Sequence, residues 1–285
     1  MYVPADQPSK LDKALTSNAD ALLADLEDAV AANAKTAARS SLANWLEQLA
    51  SVSPEADIEA QPRIWLRVNA DTVEADLQAA LHPLIDGVCL PKVESADAIR
   101  EIDMLLGRLE PAGTSPRPLM LMVETALGVL RCASFPAASE RVALFQLGEQ
   151  DLRADLGLPP DLSKGADPLP GPMQAARDAV VLASAAGGLL GPIGPVSVNI
   201  HDADLLETET SKLRHAGFSG RALIHPAQIK PIARGFAPSA AERDWAQRVV
   251  DAAEAARAAG SGVTVVDGGM VDAPVVATAR RMLSP

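Results

Sequence analysis

Glu124 and Asp151 are the residues of this sequence whose type and placement best suit chemistry. Glu124 ends an apolar run from Pro118 to Val123, and small residues follow it at once. A run that apolar predicts a strand buried on both faces, as in a parallel sheet. In an α/β protein the C-terminal end of such a strand displays reactive or metal-binding groups. Taken alone, Glu124 is better explained as an acid complementing the macrodipole of a following helix. Asp151 changes the balance, because Gly148-Glu149-Gln150-Asp151-Leu152 ends the next apolar run in the same way. The spacing therefore raises one question, whether Glu124 and Asp151 meet.

The elements that must position them recur along the chain. Apolar runs predict strands at Tyr2–Asp6 (broken by Pro4), Ala21–Val30, Arg63–Val68, Asp86–Glu94, Pro118–Val123, Val142–Leu147, Pro195–Ile200 and Arg221–Pro226. Helical spacing predicts helices at Lys10–Leu15 (with Ser9 as cap), Ala34–Leu49, Thr72–Leu84, Ala96–Leu109 (capped by Ser95), Met173–Ala186, Ala203–His215 and Ser239–Ala259. Ser51–Gln61 and Asp161–Pro172 read as connectors. Alternating strands and helices are the signature of a βα repeat. A doubly wound sheet competes with a closed (β/α)8 TIM barrel. The barrel is favoured because polar groups recur after many strands: Asp6, Glu27, Arg67, Lys92, Glu124, Asp151 and His225. A barrel gathers those ends at one mouth, whereas an open sheet spreads them along an edge. Neither G-x-G-x-x-G after a strand nor a P-loop is present, so dinucleotide and ATP readings lack support.

Composition agrees with a folded enzyme and sets limits on partners. A chain of 285 residues exceeds the roughly 250 of one such barrel, so residues 1–259 are assigned to a catalytic barrel. Residues 260–285 form a C-terminal arm, a lid or subunit contact. It begins at the hinge Gly260-Ser261-Gly262, turns at Asp267-Gly268-Gly269 and ends in a helix from Val275 to Leu283. The net charge of −12 argues against coating nucleic acid or an anionic membrane, so an anionic substrate needs a local Arg/Lys cluster. Cys89 and Cys132 show no metal spacing and read as buried thiols in a reducing compartment. Neither a leader pattern nor a membrane-length apolar run is visible, and a cytoplasmic protein is expected by default.

With these motifs in hand, the chain resembles the citrate lyase beta-subunit-like branch of the HpcH/HpaI aldolase superfamily. The carriers are Val3-Pro4-Ala5-Asp6, Asp25-Leu26-Glu27-Asp28-Ala29-Val30, Leu66-Arg67-Val68-Asn69, and Leu90-Pro91-Lys92-Val93-Glu94-Ser95. They continue with Val123-Glu124-Thr125-Ala126, Gly148 to Gly157, and Ile224-His225-Pro226-Ala227-Gln228-Ile229. The resemblance implies a barrel that binds Mg²⁺ through Glu124 and Asp151, a hard donor set that leaves water positions for a chelating substrate. It implies a carbon–carbon lyase acting on citryl-, malyl- or citramalyl-CoA-type thioesters to give acetyl-CoA and a 2-keto acid. Arg67 matches the catalytic arginine that stabilises the enolate, though an ion pair with Glu27 or Asp28 is compatible with that role. Asp272, in Met-Val-Asp-Ala-Pro, matches an arm aspartate that related lyases supply from a neighbouring subunit for proton transfer, with Asp267 as the competing acid. A homotrimer follows by analogy.

The remaining residues carry weaker assignments. Glu27 and Asp28 orient Arg67 or metal-bound water. Lys92 is either a substrate-anion contact or a structural partner of Glu94. Asp155 shares a helix face with Asp151 and reads as capping or solvated. His225 reads as structural. Gln7 and the Gly/Pro-rich segment from Gly191 to Asn199 depart from the family pattern, at a CoA-phosphate contact and in the seventh strand. Alternative readings are the beta subunit of a citrate lyase complex working on an acyl carrier protein thioester, a malyl-CoA thioesterase, and a CoA-independent pyruvate aldolase. A Schiff-base aldolase using Lys92 and a non-enzymatic scaffold belong to different classes.

Overall fold

The computed structural model describes residues 1–52, 62–159, 169 and 171–284. The expected connectors Ser51–Gln61 and Asp161–Pro172 fall largely outside them.

Eight parallel strands, each paired with the next in chain order, form the sheet: β1 (Tyr2–Pro4), β2 (Ala21–Asp25), β3 (Arg63–Arg67), β4 (Gly87–Leu90), β5 (Leu119–Val123), β6 (Val142–Leu147), β7 (Ile193–Gly194) and β8 (Gly220–Arg221). Tyr2 N–H donates to the carbonyl of Leu223, just past β8, at 2.8 Å. That bond joins the last strand region to the first and closes the expected (β/α)8 TIM barrel. Helices α1 (Pro8–Leu15), α2 (Lys35–Val52), α3 (Val73–Ala80), α4 (Ala96–Leu109), α5 (Ala126–Arg131), α6 (Glu149–Asp155), α7 (Gly171–Ala186) and α8 (Ala203–His215) lie between successive strands, and α9 (Ile229–Phe236) comes after β8. Ser95 caps α4 through Ala98 N–H, as expected. Ser9 caps nothing: α1 begins at Pro8, whose fixed φ and missing N–H suit a first helical position.

Strand alternation sorts the side chains. Register pairs Leu23 with Trp65, Asp25 with Arg67, Arg67 with Cys89, Met120 with Leu144, and Met122 with Gln146. Leu23, Cys89, Met120, Met122 and Leu144 form one buried cluster, with Tyr2, Trp65 and Ile193 against it. This is the lumen, filled by side chains as a small barrel requires. Gly87 has a steric reason: a Cβ there would lie 2.5–2.7 Å from the Trp65 ring atoms.

The seventh and eighth strands sit earlier than their apolar runs suggest. β7 ends at Gly194, because Pro195 has no N–H for a ladder. Asn199 Oδ1 then accepts from His201 and Asp202 N–H, turning the chain out of extended structure. Gln228, buried, donates to the carbonyls of Ser197 and Asn199 and fixes this irregular segment.

The chain divides into two compact units, Met1–Gly235 and Phe236–Pro285. This division lies before the glycine hinge at 260, because α10 (Ala240–Ala258) packs with the C-terminal hairpin and last helix. Ser239 and Glu242 form a capping box that starts α10. Strands β9 (Thr264–Val266) and β10 (Gly269–Val271) make the antiparallel hairpin. Its turn residues Asp267 and Gly268 both have positive φ, as a type I′ turn demands. Helix α11 (Ala273–Leu283) completes a small core of Ala246, Val249, Val271 and Ala279.

Gly87→Ala is expected to lower stability by about 1–3 kcal/mol, since an added methyl must displace a lumen-filling indole. Urea unfolding followed by tryptophan fluorescence checks this, and an unchanged midpoint would refute the packing argument.

Candidate functional site

The C-terminal ends of β2 to β6 carry the charged residues, and Arg67 is buried among them. It points inward by alternation from Trp65, directly opposite its register partner Asp25. Nε and Nη2 donate to the two Asp25 oxygens at 2.8 and 2.6 Å, a bidentate pair buried on both sides. The guanidinium also stacks 4.9 Å from the Tyr2 ring centroid, and Nη1 lies 3.9 Å from the Met122 sulfur. Burial alone would weaken the charged form, but Asp25 outweighs it and holds the Arg67 pKa above its ordinary value. Arg67 is a fixed, desolvated cation.

Glu27 sits above this pair. Asp25 also accepts from the backbone N–H of Glu27 and Ala29, so one carboxylate shapes both the arginine and the turn after β2. Lys35 of α2 donates to the carbonyls of Leu26 and Glu27 at 2.8 and 2.5 Å and closes that turn from outside. Glu27 Oε2 lies 2.7 Å from Arg67 Nη1 without hydrogen-bond alignment, while Oε1 accepts from Lys92 Nζ at 2.7 Å. Burial raises the Glu27 pKa, and Arg67 and Lys92 only partly offset it. Asp28 is more exposed, 3.7 Å from Arg67 and 3.9 Å from Lys92.

Lys92 holds a left-handed backbone, with φ 51°. Its ammonium pairs with Glu27 rather than with Glu94, the partner in one of its two sequence readings. Glu94 comes two residues later in the chain, whereas the turned backbone brings Lys92 over the barrel mouth. Burial lowers the Lys92 pKa, but the bond to Glu27 and that residue's charge dominate and raise it overall. Lys92 is a poor free amine.

Glu124 is the other buried acid. Oε1 accepts from Lys92 N–H at 2.8 Å, and Oε2 is buried with no hydrogen-bond partner among the described residues. Gly148 leaves room for it, since a Cβ there would collide with the Glu124 carboxylate. Burial first, and the charge of Asp151 second, push the Glu124 pKa up to about 8. Asp151 lies in the first turn of α6, immediately after Gly148. A desolvated oxygen without a donor, beside a second carboxylate, suits a hard divalent cation. Among the described residues no group of three or more His, Cys, Asp or Glu side chains is placed to cage a metal. An ion held here would therefore keep water or substrate oxygens, the habit of Mg²⁺.

The barrel thus gathers Arg67, Glu27, Asp28, Lys92 and Glu124, with Asp151 close enough to perturb Glu124. Asp272 lies in the other unit, where it caps α11 through Val275 N–H at 3.4 Å. His225 is structural: Nδ1 accepts from Ala227 N–H, and Gln228 completes a capping box. Sequence reasoning missed Asp25, Tyr2 and Gly148 as supports of the site. Alternation inward from Leu23 could have found Asp25. Nothing in the sequence announced that Gly148 shields a carboxylate. Among the described residues no helix is long and apolar enough to cross a membrane.

Comparison with known proteins bears on the chain as a whole. The family profile described as HpcH/HpaI aldolase/citrate lyase matches residues 1–226. The citrate lyase subunit beta of Leuconostoc mesenteroides subsp. cremoris is 32% identical over 99% of this chain and 91% of its own length. A (3S)-malyl-CoA thioesterase of Cereibacter sphaeroides (strain KD131 / KCTC 12085) is 36% identical over 100% of this chain and 92% of its own length. Among solved structures, CitE from Mycobacterium tuberculosis in complex with magnesium, acetoacetate and coenzyme A superposes with a TM-score of 0.80 and 31% identity. That match covers 99% of this chain and 95% of that one. The citrate lyase beta subunit from the same organism, complexed with oxaloacetate and magnesium, matches with a TM-score of 0.68 and 30% identity, over 84% and 96% of the two chains. On these matches, this chain belongs to the HpcH/HpaI aldolase/citrate lyase family.

Proposed function

We propose that this protein is a Mg²⁺-dependent carbon–carbon lyase. It cleaves, or forms, a carboxylated 3-hydroxyacyl thioester of the citryl-, malyl- or citramalyl-CoA type, giving acetyl-CoA and a 2-keto acid. The observation that carries the reading is Glu124, a buried carboxylate with one oxygen unpartnered, beside Asp151 and in the same mouth as the fixed Arg67 cation. Magnesium and keto acids in solved relatives support it.

Glu124 and Asp151 would hold the ion, which supplies Lewis-acid polarisation and chelation of the keto-acid end. In cleavage the substrate hydroxyl gives its proton to the Asp272 carboxylate, the bond between the α and β carbons breaks as the oxygen becomes the keto-acid carbonyl, and the electron pair moves onto the thioester as an enolate. Arg67 stabilises the enolate oxygen. Asp25 takes Nε and Nη2 while Glu27 sits out of alignment with Nη1, so the fork keeps N–H donors for an oxyanion. Asp272 delivers the proton that turns the enolate into acetyl thioester, and a homotrimer would let a neighbouring subunit supply it. Glu27 and Asp28 hold Arg67 and Lys92 in place, and Lys92 adds positive charge for the substrate carboxylate. The raised Lys92 pKa and its bond to Glu27 disfavour a Schiff-base route. Hydrolysis of the same thioester is the second reading, favoured by the 36% identical thioesterase.

Three outcomes test this function. Glu124→Gln is expected to fold and retain or raise its metal-free Tm, lose the Mg²⁺-dependent Tm increase, and lose cleavage. A Glu124→Gln protein still stabilised by Mg²⁺ would remove the metal site. Arg67→Lys is expected to lower kcat by about 10²–10³, the usual cost of one oxyanion contact, measured as keto-acid release from malyl-, citramalyl- and citryl-CoA. Free malate instead of acetyl-CoA from malyl-CoA would establish the hydrolytic reading. Asp272→Ala is expected to lose about 10²–10⁴ in turnover. Mixing it with inactive Glu124→Gln restores activity only if Asp272 acts across subunits, and full turnover by Asp272→Ala alone would end its catalytic assignment.

A further inference from the structure

Helix α6 spans only Glu149–Asp155, too short to hold its own orientation, so contacts with its neighbours must fix it. At its start, Glu149 receives two bonds from Arg177 of α7, at 2.5 and 3.1 Å. At its end, Asp155 Oδ2 accepts from the backbone N–H of Ala126 at 2.7 Å. Ala126 lies two residues beyond Glu124, and Asp155 lies four beyond Asp151, on the same helical face. The bond therefore links the turn carrying one candidate metal ligand to the helix carrying the other.

We propose that Asp155 is a positioning residue that sets the separation of the Glu124 and Asp151 carboxylates, and so the affinity for a divalent cation. The inference rests on the Mg²⁺ reading above. Asp155 itself does not touch the ion. The need for a tie is geometric. Glu124 directly follows β5 and Asp151 lies in the first turn of α6, so the direction of that short helix sets the distance between the two carboxylates. Gly148 leaves space for the Glu124 carboxylate, and its N–H donates to the Val123 carbonyl at 3.1 Å, which holds the start of α6 to the end of β5 but leaves the direction of the helix open. Arg177 anchors α6 to α7 and not to β5. The Asp155 bond is the tie at the far end of α6, and it fixes the direction of the helix against the turn that carries Glu124. Capping of α5 is a lesser explanation, because Thr125 already serves as its N-cap through Gly128 N–H.

Calorimetric titration of the full chain with MgCl₂, without substrate, tests this alongside thermal unfolding in EDTA. Asp155→Ala is expected to weaken Mg²⁺ binding about tenfold, the lower end for lost outer-shell partners of metal ligands, with little change in metal-free Tm. Asp155→Asn keeps an acceptor oxygen and is expected to stay within about threefold of wild type. Asp155→Glu keeps the charge but lengthens the arm, and is expected to fall between the two. Wild-type affinity in Asp155→Ala would overturn the proposal. If Asp155→Ala does not fold, wild-type affinity in Asp155→Glu would do the same. Equal losses in Asp155→Asn and Asp155→Ala would also overturn it, because the effect would then be charge and not position. A wild-type protein that binds no Mg²⁺ would instead overturn the metal reading, and this inference with it.

Discussion

The buried pair between Arg67 and Asp25 is the constraint on which the mouth of this barrel depends. Desolvating a guanidinium is tolerable only with its charge and donors met, and leaving one partner of such a pair alone costs about 3–5 kcal/mol. Asp25 meets both requirements from the adjacent strand, in register, with two short bonds. The same carboxylate accepts from Glu27 and Ala29 N–H, so the pair also dictates how the chain leaves β2. Glu27 is thereby delivered between Arg67 and Lys92. Lys92 in turn gives its backbone N–H to Glu124. The chain of contacts runs from the lumen to Glu124 without a gap. Each member is held by the one below it.

That continuity explains why one oxygen of Glu124 can be left without a donor. An unpartnered buried carboxylate oxygen is expensive, and such oxygens are rare in native proteins. Here the rigid support prevents the side chain from escaping toward water, and the cost appears as a pKa of about 8. Glu27 Oε2, in the same mouth, is also buried without a hydrogen-bond partner, and unmet polar atoms gathered in this way are the pattern expected of a functional site.

Much of this was legible in the sequence, for physical reasons that differ by element. Buried parallel strands advertise themselves as continuous apolar runs, so β2 to β6 lie within the runs that predict them. Ser95 and the Asp267-Gly268 turn are readable because capping and positive φ select few residue types. β7 and β8 were harder: each is two residues long, and Pro195 ends the ladder where apolar residues continue. Within the site, charged residues at strand ends stood out, but their partners did not. Asp25 sits inside an apolar strand, and its pairing with Arg67 depends on register across 42 residues. The Lys92–Glu27 bond spans 65 residues. Only closure of the barrel brings such positions together. The second unit shows a related limit: composition marks the glycines at 260–262, but the packing of α10 against α11 and the hairpin sets the division.

The balance of charge at the mouth adds a consequence for the proposed reaction. Asp25, Glu27, Asp28 and Asp151 outnumber Arg67 and Lys92 even before Glu124 gives up its proton, and the whole chain carries −12. Asp25 and Glu27 already neutralise most of the field of those two cations. A carboxylated thioester entering such a mouth meets net negative potential, which no arrangement of these residues alone reverses. A divalent ion on Glu124 and Asp151 changes the sign locally where the keto-acid end must sit. On the proposed function, the ion is then a condition for substrate binding as well as for bond cleavage. The acidic excess is a feature of the site, because it reserves the mouth for substrates that can share a cation with it.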